Sequence, residues 1–334
     1  MKKHILSLFV AISLVACSND DTTVTEQPAN YSTGYLVTNE GNFNSNNADI
    51  TYINANFTDS QNQIFRNVNN RALGDVAQSI TQNANYVFVV MNNSNTIEVV
   101  NKNTFESVAT ISENINQPRY ATITDNKLWV TNAGNNTISS YNLSDFTPSE
   151  TISLNFTPEL IDSTTDYIYV TTNPWADTHL IVPYSTDTHQ PTLTTTLDAP
   201  VNGLVKQNDQ IFVLSSGENF TQIYKVTSHT SYIMSQNEDT NSRFLSINGN
   251  KLYYTSGVAI KEYDMTSQTL STLFSVPDTG WSAIYGFNVF DQHFFVADAK
   301  SFTEAGEVII YNAGGNPLKT IKTGIGPNGI FKIQ

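Results

Sequence analysis

The chain has almost no cysteine: one in 334 residues, at position 17. A single thiol can form no internal disulfide and no cysteine-based zinc site, so neither kind of staple holds this fold together. Charge is scarce as well, at 14% of residues, and it leans acidic, with 30 Asp and Glu against 16 Lys and Arg. A net charge of −14 repels phosphate backbones and anionic lipid surfaces, which argues against nucleic acid as a partner. There are five histidines, and those beyond the first residues, His179, His189, His229 and His293, stand far apart with no HExxH or HxH pairing. Each is expected to be a turn or surface residue. No GxSxG elbow, glycine-rich phosphate loop or nucleophile–base pair is present, so no catalytic residue, metal ligand or cofactor is expected. Long apolar runs are missing too. The one apolar stretch, Ile5 to Ala16, is too short to span a bilayer. No segment carries a convincing helical period. Apolar residues nevertheless make up 39% of the chain, enough for a folded core.

What is abundant is repetition. LWVTNAGNNTISSYN, from Leu128, repeats the plan of YVFVVMNNSNTIEVVN, from Tyr86: an aromatic and aliphatic strand, an Asn-rich tip, a second strand. The same plan recurs at GYLVTN (from Gly34), YIYVTTN (from Tyr167), QIFVLSSG (from Gln210), KLYYTSG (from Lys251) and HFFVADA (from His293). Aligned on Val87, Leu128, Ile168, Ile211, Leu252 and Phe294, the steps are 41, 40, 43, 41 and 42 residues. The first interval, from Tyr35 to Val87, is 52 and holds an insertion around Asn54 to Asn70. A short strand, often introduced by proline, precedes each hairpin (QPRYATIT, TPELIDST, APVNGLVK). Another follows it (FESVATI, SETISL, TLSTLF). Four alternating strands per unit at a period of 40–45 specify the blades of an all-β, seven-bladed propeller. The chain ends in GPNGIFKIQ, which matches the leading strand but lacks a hairpin, while GYLVTN is a hairpin without a leading strand. The C-terminal strand is therefore expected to complete the first blade and close the ring.

The N-terminus reads differently. Lys2 and Lys3 precede the apolar stretch, and LVAC, ending at Cys17, resembles the bacterial lipobox. The resemblance implies residues 1–16 as a signal peptide and lipidation of Cys17. Residues 17–33 then form a lipidated, flexible tether, and 34–334 form the propeller. Losing Lys2 and Lys3 takes the net charge from −14 to −16. Asp20 and Asp21 resemble the export signal of Bacteroidetes surface lipoproteins, which implies an outer-membrane protein, lipid-anchored and facing the exterior.

Hairpin tips and the lead-ins to the innermost strands converge on one rim of a propeller, and here they are rich in aromatic and polar residues. Glu40, Asn42, Phe43, Arg119, Asn132, Asn173, Trp175, Phe220, Arg243, Trp281, Tyr285, Asp298, Lys300 and Phe302 are the candidate ligand-binding residues. Aromatic faces beside a few polar donors suit a large, partly planar ligand or a sugar. Tyr120 and Phe244, inside strands, are expected to pack in the core. Glu40, Asn132, Asn173 and Asp298 hold tip positions comparable with the axial metal ligands of lactonase-type propellers. Asn and Asp at such tips more commonly bond their own backbone.

Across residues 34–334 the repeats resemble YncE-like, surface-layer-type seven-bladed propellers. VTNEGNF, from Val37, and FFVADAKSFTEAGEVIIYNAGGNPLKTIKTGIGPNGI, from Phe294, are similar to the first and closing blades of a Bacteroidetes surface-lipoprotein family. That resemblance implies capture of a small-molecule ligand and its transfer to a TonB-dependent outer-membrane transporter. One branch of the family captures cobalamin. A protein-interaction scaffold or adhesin, and a metal-dependent lactonase or lyase, are the alternatives.

Overall fold

The computed structural model describes residues 30–334. Cys17, the signal peptide and most of the tether lie outside the described residues. Twenty-eight strands form seven antiparallel sheets of four, arranged as blades 1 to 7 around a central channel. The innermost strands of blades 2 to 7 are Ala77–Gln82, Pro118–Thr124, Pro158–Ser163, Val201–Gln207, Ser242–Asn248 and Gly286–Phe290. Blade 1 takes its innermost strand, Pro327–Ile333, from the other end of the chain, paired with Gly34–Asn39 from Gly34 opposite Ile333 to Asn39 opposite Pro327.

Turn chemistry sets the register of the inner hairpins in three blades. Type I′ hairpins need two successive left-handed residues, a conformation that Asn and Asp tolerate best among side-chain-bearing residues. Asp125–Asn126, Asn208–Asp209 and Asp291–Gln292 supply them, each pair with φ between 48° and 63°. The second strand of each blade is covered on both faces, so Val87 to Met91 and Leu128 to Asn132 are buried throughout. Strict alternation of half-buried and exposed positions survives in outermost strands such as Pro148–Ser153. The reason is architectural: neighbouring blades cover both faces of an inner strand, leaving the period of two visible only where solvent reaches one face.

Seven apolar clusters fill the seven blade interfaces, including that between blades 7 and 1, where Tyr35, Val37 and Ile330 meet Phe295, Val308 and Ile321. The closing interface is thus packed like the others. Tyr120 and Phe244 pack against two of these clusters, as their strand positions imply. Gly286 lets blade 7 approach the closing strand, since a Cβ there would lie 2.7 Å from the Asn328 carbonyl.

Two details depart from expectation. The insertion in blade 1 contains a short helix, Ile64–Asn69, whose Ile64 and Phe65 are fully buried. Six residues are too few to display a helical period, and packing against blades 1 and 2 holds the turn in place. Packing also begins before the expected end of the tether. Tyr31 is buried, edge-on to Tyr52 and Phe105 at 5.0 and 5.8 Å, and its N–H donates to the Asn103 carbonyl. Among the described residues no helix is long and apolar enough to cross a membrane.

Candidate functional site: the channel mouth

The hairpin tips and the lead-ins to the innermost strands share one rim. Backbone hydrogen bonds tie them together: Ala133 N–H to Gln117 O, Asn173 N–H to Thr157 O, Asn241 N–H to Gly217 O and Ala299 N–H to Ser282 O. At this rim the pairing of the innermost strands slips. Register shifts fall between Ala77 and Ser79, Pro118 and Ala121, Pro158 and Ile161, Val201 and Gly203, and opposite Thr38 and Asn39. A bulge frees a residue from the ladder and re-aims its side chain. The freed residues include Gln78, Arg119, Glu159, Asn202 and Asn328. Arg243 stands at the edge of a sixth bulge, and Tyr285 precedes the innermost strand of blade 7. Every one of these seven side chains, one per blade, is polar.

The ring is cross-linked. Arg119 gives a forked pair to Glu159, with Nη2 to Oε1 at 2.6 Å and Nε to Oε1 and Oε2 at 3.0 and 3.1 Å. Its Nη1 donates to Gln78 Oε1 at 2.7 Å. Burial opposes the Arg119 charge, but the adjoining Glu159 more than restores it and lifts its pKa above the ordinary value. Glu40, just past the first strand, accepts from the Tyr285 hydroxyl (3.0 Å) and from Asn328 Nδ2 (2.9 Å). Burial pushes the Glu40 carboxyl above the usual range, against the pull of those two donors and the Arg119 charge. Burial and Glu40 together raise the Tyr285 phenol.

Above this ring stand aromatic side chains. Trp281 is 76% exposed and stacks on Phe302, with centroids 5.1 Å apart and planes 7° apart. Tyr285 meets Phe302 edge-on at 4.7 Å, and Asn42 Nδ2 donates to the Phe302 carbonyl at 2.7 Å. On the opposite side of the ring, Trp175 is 90% exposed. Its loop is tied to the ring through Asn173, whose Oδ1 accepts from the Trp175 N–H and whose Nδ2 donates to Glu159 Oε2. A cavity of about 690 Å³ opens beside it between blades 3 and 4, lined by Gln117, Phe156, Thr157 and Trp175 among others. The third tryptophan, Trp129, is fully buried between the same blades.

The candidates therefore divide. Glu40, Asn42, Trp281, Tyr285 and Phe302 converge, as do Arg119, Asn173 and Trp175. Arg243 stands on the ring beside Phe244, 4.7 Å from its ring centroid. Phe43, 68% exposed, and the half-buried Phe220 lie in the tips of blades 1 and 5. Asn132 instead is fully buried, donating to Thr137 and Ser139 and accepting from the Asn116 N–H. Asp298 is likewise a buried turn residue, accepting from the Lys300 N–H and the Thr279 hydroxyl. The Lys300 ammonium pairs with Glu307 at 2.9 Å. Among the described residues no group of three or more His, Cys, Asp or Glu could hold a metal ion. Glu159, Gln78, Asn202 and Asn328 were missed, although a signal existed. Each occupies the position that Arg119 holds in its own repeat, directly after Pro158, Ala77, Val201 and Pro327 respectively.

No family model matches the chain, and no curated protein sequence does either. Solved propellers resemble it in shape. A quinoprotein alcohol dehydrogenase-like protein from Bacteroides thetaiotaomicron superposes with a TM-score of 0.70 at 13% identity, over 91% of this chain and 79% of its own. The dihydro-heme d1 dehydrogenase NirN, in complex with DHE, reaches 0.61 at 8% identity, over 92% and 77%. The computationally designed protein Ika8 reaches 0.60 at 9%, over 91% and 96%. A designed ring matches about as well as a dehydrogenase, so these likenesses carry the fold and no activity.

Proposed function

We propose that this protein is a lipid-anchored outer-membrane protein that captures a ligand on the rim of its propeller and passes it to a TonB-dependent transporter. The observation that supports the reading best is Trp281. A folded chain gains by burying an indole, and this one instead holds it open to solvent, stacked on Phe302 above a polar ring. Flat ligands and sugars gain both stacking area and hydrogen-bond partners from such a surface. The anchor and the transporter come from the resemblances of LVAC and of the first and last blades to surface lipoproteins, and cobalamin is the first ligand to try. Calorimetry and quenching of tryptophan emission with cobalamin, then with a panel of sugars and aromatic compounds, test the capture. Binding that weakens tenfold or more in Trp281→Ala is the expected result. A ligand that binds the parent and Trp281→Ala alike would overturn the placement of the site.

A further inference from the structure

We infer that Arg243 is an anion-recognition point at the channel mouth, which takes a carboxylate or phosphate carried on a flat or sugar-like ligand. This rests on the ligand-capture reading and narrows it to a charged ligand class. Four cations lie on the innermost strands: Arg119, Lys206, Arg243 and Lys332. Three of them are neutralised, by Glu159, Asp162 and Asp291 respectively. Among the described residues Arg243 has no carboxylate within ion-pair distance, and its guanidinium makes no hydrogen bond. It is an exposed side chain propped against Phe244.

The repeat explains why. Arg119 meets a carboxylate because the next blade places Glu159 at the same position of its own innermost strand. The blade after Arg243 places Tyr285 there, and that hydroxyl already donates to Glu40. The ring's charges therefore do not cancel locally. Arg119 and Glu159 balance each other, Glu40 is held by Tyr285 and Asn328, and Arg243 remains. A guanidinium offers five donors in a planar fork, which matches two oxygens of a carboxylate or phosphate better than it matches water. The innermost strands of blades 6 and 7 are neighbours, and Tyr285, which leads into the second of them, meets Phe302 edge-on, so the Arg243 and Trp281 positions belong to adjoining blades. In an acidic protein the long-range field works against an approaching anion. Recognition therefore needs the local fork and the stacking surface together.

Calorimetry with 2-naphthoate, its neutral isostere 2-naphthamide and 1-naphthyl phosphate tests the assignment on the full propeller. The parent should bind the acid about tenfold more tightly than the amide. Arg243→Gln should drop the acid to the affinity of the amide, Arg243→Lys should keep part of the preference, and Trp281→Ala should weaken all three probes. Tighter binding of the phosphate than of the naphthoate assigns a phosphate ester, and the reverse a carboxylate. Equal binding of acid and amide by the parent would overturn the anion point, as would a preference that survives in Arg243→Gln. Such parity with binding still dependent on Trp281 would leave the ligand face standing. If no probe binds while another ligand binds through Trp281, the anion point again fails alone.

Discussion

Blades 3 and 6 begin their innermost strands alike, with Pro118-Arg119-Tyr120 in one and Ser242-Arg243-Phe244 in the other. Both arginines stand at a bulge on the rim, yet their situations are opposite. Arg119 is clamped between Glu159 and Gln78, and Tyr120 beside it is half-buried, its phenol pushed up to about 12 by desolvation and then by Glu159. Arg243 is exposed, with an aromatic ring for support and no anion. The dipeptide does not decide which arginine is structural. The residue that the next blade contributes some forty positions later does, because in a propeller the lateral neighbour of an innermost strand belongs to another repeat.

The largest effect is expected from breaking the frame that both arginines share. Deleting residues 326–334 removes the closing strand, takes Asn328 from the ring and strips Ile330 and Ile333 from two apolar clusters. The expected loss exceeds ~5 kcal/mol, a large part of a domain's total stability, with aggregation in size-exclusion chromatography. A monomeric truncation with an unchanged melting temperature would contradict the closure.

Glu159→Ala sharpens the contrast directly. It leaves the Arg119 charge largely enclosed and unpaired, at an expected cost of about 3 kcal/mol in urea unfolding. Arg243→Ala should cost less than ~0.5 kcal/mol, because that charge is solvated and unpaired already. Equal losses at the two positions would erase the distinction.

Asp49 is a third case, a carboxylate buried with no ion pair among the described residues, at a cavity of about 480 Å³ between blades 1 and 7. Burial pushes its pKa up to about 6, although the Ile50 N–H donates to it at 2.7 Å. A folded pKa above the ordinary value of 3.8 means that the charged form is disfavoured in the fold. This penalty applies in full above pH 6 and is relieved as the pH falls from about 6 toward 4. Asp49→Asn should therefore raise stability above pH 6 by roughly 2 kcal/mol and flatten the dependence below it, as followed by thermal melts across that range.

Small stability effects are also expected at Trp175 and Trp281. Each change to Ala should stay within ~1 kcal/mol, against the ~3–5 kcal/mol expected for the buried Trp129. Differential scanning calorimetry of the three variants makes the comparison. A loss of several kcal/mol at Trp281 would make it a packing residue rather than a ligand platform.

Much of this was legible beforehand. Period, strand order and ring closure follow from the spacing of Val87, Leu128 and their counterparts, and the exposure of both rim tryptophans follows from their place in the repeat. The polar ring was only half legible, through Arg119, Arg243 and Tyr285. Glu159, Gln78 and Asn328 share a column of the repeat with them but carry no motif of their own. The burial of Asn132 was not legible, because an amide at a strand end looks the same in sequence whether it faces solvent or bonds the lead-in to its own blade, as it does here with the Asn116 N–H.

The sequence by itself determined the number of blades, their strands and the strand that seals the ring. Those depend on interactions within one repeat or between the two termini, and local periodicity records them. Only the tertiary structure decided which charges cancel. It brought Arg119 to Glu159 and left Arg243 beside Tyr285. Both outcomes depend on which residue the next blade supplies some forty positions later, set by bulges and blade geometry that leave no trace in the local pattern.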